Sequence, residues 1–226
     1  MRYFAIAVFA LSMLAAVVAT PAVTPVGENF EHGVPQGWTT EGLGPQKDRG
    51  RVENDQEPGG NHFLRISTDG SFYSFGIDSP FDPARYPILS WRWRVEVMPK
   101  GADIAKRSTD DCAARLYVVF RDANSADHKP HRKLEYVWDE RHPAGTIIPD
   151  PYAPELVKAI VLESGPSRVG EWVREQVNLM QDYERAFGGK PGWVKTIAFA
   201  SDSNETHTST ISDFDDLQIN ASIKPK

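Results

Sequence analysis

Residues Pro87–Arg121, PILSWRWRVEVMPKGADIAKRSTDDCAARLYVVFR, constrain the fold most. In the first part Leu89, Trp91, Trp93, Val95 and Val97 fall on one parity, and Ser90, Arg92, Arg94 and Glu96 on the other. That two-residue period is the signature of a strand with one buried face. In the second part Leu116, Val118 and Phe120 alternate with Arg115, Tyr117 and Val119. The two runs read as a pair of core strands in a β-sandwich, joined by a charged loop that carries Asp103, Lys106, Arg107, Asp110 and Asp111. A long loop between strands is more frequent at a functional edge than elsewhere.

The same reading extends along the chain. Asn29–Glu31 reads as an edge strand that pairs with a C-terminal strand to close the domain, and Glu41–Gly60 as loop with a weak strand at Arg51–Asn54. His62–Ser67 and Phe72–Ile77 read as a hairpin across Thr68-Asp69-Gly70-Ser71. Further strands are expected at Leu134–Trp138, Val157–Leu162, Glu171–Asn178, Val194–Ala200 and Phe214–Ile219, with a long loop at His142–Ala153. One short helix is expected over 179–187, stopped by Gly188-Gly189. About ten short strands with no helical alternation predict an all-β fold, a two-sheet antiparallel β-sandwich of jelly-roll type.

Arg2 followed by the uncharged, apolar Tyr3–Ala19 has the form of a cleaved secretory signal, ending at 19 or at 22. That run is short for a bilayer span, so no stable membrane anchor is expected after cleavage. The expected organisation is a signal over 1–19, a tether over 20–28 and one sandwich domain over 29–220, in the periplasm or outside the cell. A single cysteine, Cys112, cannot form an intramolecular disulfide, so burial alone must hold the core, and Cys112 itself reads as a small buried residue. The formal charge of −6 becomes −7 without Arg2, which argues against a nucleic-acid partner.

Several groups are candidates for chemistry. Arg92, Arg94, Arg115, Tyr117 and Glu135 are polar residues on strand segments that offer donors and acceptors to vicinal hydroxyls, and they form the expected ligand-binding set. Their alternative role is a solvated face laced with cross-strand ion pairs. Trp91 and Trp93 share the apolar parity and read as core rather than as sugar-stacking rings. Asp202, Asn204 and Asp213 are the candidate metal ligands, with calcium as the alternative to ordinary polar loop chemistry, and no cofactor is expected. Asp110-Asp111 reads as turn chemistry before calcium, and His128, His131 and His142 lack a fourth ligand for zinc.

Taken with Trp91-Arg92-Trp93-Arg94-Val95, Asp110-Asp111 leading into Ala114–Phe120, Tyr136-Val137-Trp138, Ser164-Gly165, Asp182-Tyr183, Phe187-Gly188, Asp202 and Asn204, the chain resembles a family of exported bacterial proteins that carry a domain of unknown function. The resemblance implies export and a β-sandwich, and brings no activity with it. The Asn29-Phe30-Glu31 opening with Pro35 and Gly37-Trp38, and the closing Asp215–Ile219, are more loosely similar to jelly-roll carbohydrate-binding modules. The reading that follows is an exported, non-catalytic binder of a glycan or similar polar ligand. The alternatives are a glycan-active hydrolase or lyase using Glu135 and Glu163 with Arg115 and Tyr117, and an envelope protein that binds another protein.

Overall fold

In a computed structural model of the chain, residues 25, 27–43, 46–121 and 131–221 are described. The expected signal, most of the tether, and His128 lie outside them. The strands are β1 Thr39–Leu43, β2 Arg51–Gln56, β3 His62–Asp69, β4 Phe72–Phe81, β5 Ile88–Val97 and β6 Cys112–Phe120. They continue as β7 Arg132–Asp139, β8 Ile147–Pro149, β9 Val157–Ser164, β10 Val173–Asn178, β11 Val194–Asp202 and β12 Ser209–Asn220, with one α-helix, α1, at Leu179–Phe187. A seven-stranded sheet runs β1-β4-β11-β6-β7-β9-β8, and a five-stranded sheet runs β10-β5-β12-β3-β2.

The alternation in β5 does what its period demands. Leu89, Trp91, Trp93 and Val95 are fully buried, and the residues between them reach the outer face of the sheet. β6 points Leu116, Val118 and Phe120 into the same core. The two strands nevertheless do not pair. β5 lies between β10 and β12 and β6 lies between β11 and β7, so they belong to opposite sheets. The sheets meet through ring contacts such as Trp91 to Tyr136 at 5.6 Å and Trp93 to Trp138 at 6.1 Å.

β3 and β4 give a second correction of the same kind. The turn at Gly70 (φ 59°) does not close a hairpin but carries the chain from the five-stranded to the seven-stranded sheet. Buried hydroxyls fix this corner: Thr68 Oγ1 lies 2.7 Å from Ser203 Oγ and 2.6 Å from Thr210 Oγ1, which in turn lies 2.5 Å from Ser201 Oγ. From β3 to β6 the chain thus alternates between sheets, and β11 and β12 return between β4 and β6 and between β5 and β3. This is the jelly-roll winding of a two-sheet sandwich. The expected all-antiparallel pairing fails at one place, because β7 and β9 are parallel.

Two strands fall in segments read as loop. β1 is mostly exposed, and β8 has three residues ending in Pro149, so neither carries an apolar alternation to be seen. The helix has the expected bounds. Asn178 Oδ1 accepts from the N–H groups of Met180 at 3.1 Å and Gln181 at 3.2 Å, and Gly188 ends it at φ 72°. Its Tyr183 closes on Phe120 with centroids 4.9 Å apart, which seals one end of the core. At the N-terminal side Glu28 and Leu217 exchange two backbone hydrogen bonds, of 2.9 and 2.8 Å. The first described segment is thereby tied to β12.

Candidate functional site

The five candidate ligand-binding residues divide between the two outer faces of the sandwich. Arg92 and Arg94 stand on the five-stranded sheet. Arg92 donates to Asp215 from Nε at 3.1 Å and Nη2 at 2.5 Å, and its guanidinium lies 4.4 Å from the Trp172 ring centroid. Arg94 donates to Asp213 at 2.9 and 2.8 Å and to Glu57 at 3.3 Å, and also covers Trp172. Arg65 joins Asp213 from the next strand at 2.7 Å. These cations are closed by carboxylates on neighbouring strands and by aromatic faces, the pairing expected of cross-strand neighbours.

Arg115, Tyr117 and Glu135 stand on the seven-stranded sheet, where Tyr117 and Glu135 are direct partners in the β6–β7 ladder. All three are buried. Arg115 donates to Glu135 at 3.2 Å and to the backbone carbonyl of Asp110 at 2.9 Å, and Lys133 Nζ lies 2.7 Å from Glu135 and 4.1 Å from the Tyr117 ring centroid. Burial works against the Glu135 anion, yet Lys133 and Arg115 outweigh it and hold the carboxyl below its ordinary range. Asp110 goes the other way: burial pushes it up to about 6 despite Arg115, and the Glu135 charge adds to the rise. Cys112 is buried, and that burial raises its thiol.

The two carboxylates named for hydrolysis do not flank one cleft. Glu163 pairs in register with the core residue Trp138 at the edge between the sheets, where Arg168 donates to it at 2.8 Å. Beside it Glu175, which accepts from Trp93 Nε1 at 3.2 Å, is pushed up to about 7 by burial and by the Glu163 charge. Glu135 sits on the outer face instead.

Asp202 and Asn204 come together, but Asp213 does not join them, because it lies on the other sheet between Arg65 and Arg94. Asp202 gathers with Asp111 and Glu205, their carboxylate oxygens all within 4.8 Å of one another. Asp111 accepts from the backbone N–H groups of Glu205 at 3.1 Å and Thr206 at 2.7 Å. Burial and the neighbouring Asp111 push Glu205 up to about 7. Of the histidines, His142 is clipped between Asp139 at 2.8 Å and Asp103 at 3.5 Å.

The open, polar part of the seven-stranded face lies beside the Tyr117 cluster. Thr39, Gly76, Ala198, Tyr117 and Glu135 form one row across β1, β4, β11, β6 and β7. Gly76 and Ala198 leave a low floor there, edged by Thr39, Glu41, Ser74, Asp78 and Thr196 around a depression of about 330 Å3. β1 pairs with β4 only as far as Gly76, so beyond it no strand among the described residues pairs with that side of β4 and Pro80 costs no ladder hydrogen bond there. Asp78 accepts from Thr196 Oγ1 at 2.5 Å, and this pair separates the depression from a second one of about 250 Å3. Asp78, Pro80, Arg121, Trp193, Val194 and Lys195 line the second. Trp193 is 48% exposed there, unlike the buried Trp91, Trp93 and Trp138. Register slips on both flanks of β11 between Val194 and Thr196, an irregularity of the kind that re-aims side chains beside sites.

The chain belongs to the family described as protein of unknown function (DUF3047), matched over residues 36–218. No curated protein matches it. Among solved structures it is similar to a carbohydrate-binding module of the β-sandwich superfamily, at 14% identity and a TM-score of 0.44, over 85% of this chain and 60% of that one. It is similar to the family 11 carbohydrate-binding module of Clostridium thermocellum in complex with a β-1,3-1,4-mixed-linked tetrasaccharide, at 10% identity and a TM-score of 0.41, over 89% and 100%. It is also similar to CBM27-1 of Caldicellulosiruptor saccharolyticus in complex with mannohexaose, at 13% identity and a TM-score of 0.43, over 90% and 100%. The two-sheet architecture is established by the strand pairing itself. No helix among the described residues is long and apolar enough to cross a membrane.

Sequence reasoning missed the groove around Gly76 and Trp193. Two signals pointed to it: an isolated glycine inside the strand pattern FYSFGI, which marks a close backbone approach, and a tryptophan just after Pro191-Gly192, at the mouth of a strand.

Proposed function

We propose that the protein is an exported, non-catalytic binding domain for a glycan, and that the ligand lies along the β4–β11 groove from Glu41 to Trp193. The exposed Trp193 ring at one end of a polar groove carries this reading. A pyranose presents an apolar C–H face and a rim of hydroxyls. An exposed indole takes the first, and the second needs side-chain donors and acceptors such as Thr39, Glu41, Ser74, Asp78 and Thr196. Tyr117 stands in the same row as Gly76 and Ala198 but is buried beside the Arg115–Glu135 pair, so the open floor ends before it. Arg92 and Arg94 are assigned to holding the opposite sheet, because their donors are taken up by Asp213, Asp215 and Glu57. Turnover by paired carboxylates is disfavoured by the closure of Glu135 under Lys133 and Arg115.

The test is affinity electrophoresis against a panel of soluble polysaccharides, with a reducing-end and unsaturated-product assay on the same panel. Retardation by at least one glycan is expected, without product, and Trp193→Ala should weaken it about tenfold or more while leaving the melting temperature in place. Retardation unaffected by Trp193→Ala would remove the groove from the reading. Product formation would replace it with an enzyme, and no retardation by any glycan would favour a protein partner.

A further inference from the structure

We infer that the protein carries a second contact for a neutral glycan chain, at the end of the seven-stranded sheet opposite Trp193, where the Tyr152 ring stacks on a sugar and Arg107 donates to its hydroxyls. This deepens the glycan reading and rests on it, because a single long chain then touches both rings.

Tyr152 follows β8 and is 53% exposed, yet its neighbours hold it in place. Its hydroxyl donates to the Arg107 carbonyl at 2.8 Å, Arg107 Nε donates to the Pro151 carbonyl at 2.7 Å, and the Tyr152 N–H donates to Asp150 Oδ1 at 2.8 Å. The Arg107 guanidinium lies 5.2 Å from the ring centroid. A side chain fixed in this way has little rotamer freedom left to lose on binding, and with its hydroxyl already bonded it offers a ligand its apolar ring. A clasp between two loops gains nothing from that exposure. A platform for the flat face of a sugar requires it.

Arg107 supplies the polar half of the contact. The arginines of the opposite outer face are spent on carboxylates, Arg65 and Arg94 on Asp213 and Arg92 on Asp215. Arg107 makes no ion pair among the described residues, and only its Nε is taken up, so both Nη nitrogens remain as donors beside the ring. Burial of the hydroxyl, and after it the charges of Glu205 and Asp110, raise the Tyr152 phenol above its ordinary range, which places those carboxyls near the platform. A neutral sugar meets no repulsion from them.

The position follows from register. Arg107 lies in the loop between β5 and β6, whose Ile104 packs with Val137, Ile148 and Val161. That loop enters β6 at Cys112, opposite Asp202 at the end of β11, whereas Trp193 immediately precedes β11. The nine residues of β11 set the two ends about 30 Å apart. A trisaccharide is too short to meet both rings, and a polymer is not.

Mixed-linkage β-glucan, xylan and glucomannan serve as probes, each as the polymer and as its own trisaccharide, compared per mole of sugar. At least one polymer is expected to bind about tenfold or more tighter than its trisaccharide. Tyr152→Ala should remove most of that advantage with the melting temperature in place, and Tyr152→Phe, which keeps the ring, should retain it. Polymer binding unchanged in Tyr152→Ala but lost in Trp193→Ala overturns the second contact and leaves the glycan reading standing. An equal loss in Tyr152→Phe and Tyr152→Ala assigns the residue to clasping the loops and overturns the stacking role. Failure of all three polymers to bind overturns this inference, and failure of every other soluble polysaccharide with them overturns the glycan reading as well.

Discussion

Gly76 and Ala198 are paired across β4 and β11 so closely that a Cβ at position 76 would lie 2.5 Å from the Cβ of Ala198 and 2.8 Å from the carbonyl oxygen of Ile197. Real Cβ atoms do not approach so near, so the absence of a side chain here is a packing requirement of the groove floor. Gly76→Ala is expected to destabilise the fold by about 1–3 kcal/mol through overpacking. Ala198→Gly in the same chain should restore part of the loss, since it removes one of the two clashes. Urea midpoints of the two single variants and the double variant measure the coupling, and additive losses would contradict it.

Asp213 is fully buried beneath two guanidiniums, and its loss would take from Arg65 and Arg94 the buried anion they share, leaving them the more exposed Asp55, Glu57 and Glu96. A fully buried pair broken on one side costs about 3–5 kcal/mol. Arg65 and Arg94 keep some water, so Asp213→Ala should cost less, roughly 2–4 kcal/mol. Equilibrium denaturation reads the value directly. A change below about 0.5 kcal/mol, the range of ordinary surface substitutions, would show that the ladder of charges does not hold this sheet.

Buried carboxyls set a pH dependence. Burial pushes Asp110 up to about 6 and Glu175 and Glu205 up to about 7, whereas the unfolded chain ionises such groups near about 4. Between these values the folded protein holds protons that the unfolded chain has released, so stability falls as pH rises from about 4 to about 7. Glu135 has the opposite sign. Its folded value is lowered, so its contribution is present above its unfolded value and is lost as pH falls through the folded one. Denaturation midpoints should therefore be highest near about pH 4, and Glu175→Gln should flatten the decline toward neutral pH. Midpoints that rise steadily from pH 5 to pH 8 would contradict these assignments.

What the sequence determined by itself was which residues of the strongly alternating strands turn into the core. Alternation is a local property of the backbone, so Leu89, Trp91 and Trp93 in β5 and Leu134, Tyr136 and Trp138 in β7 were legible as core. The helix was legible because Gly188-Gly189 stops it locally, while the Asn178 cap at its start emerged only from the structure. Which strand each one meets was not legible. A strand buries the same face whether its neighbour in the chain pairs beside it or stacks across the core, and so β3 with β4, and β5 with β6, read as partners when they lie in opposite sheets. The candidate site shared this limit. Arg92, Arg94, Arg115, Tyr117 and Glu135 were recognisable as polar groups on strands, but their division between two outer faces follows from sheet membership. Asp213 closes on Arg94 from 119 residues away, and Asp78 meets Thr196 across 118. Only tertiary structure decides such pairs, since register across a sheet depends on which distant residues can share the core.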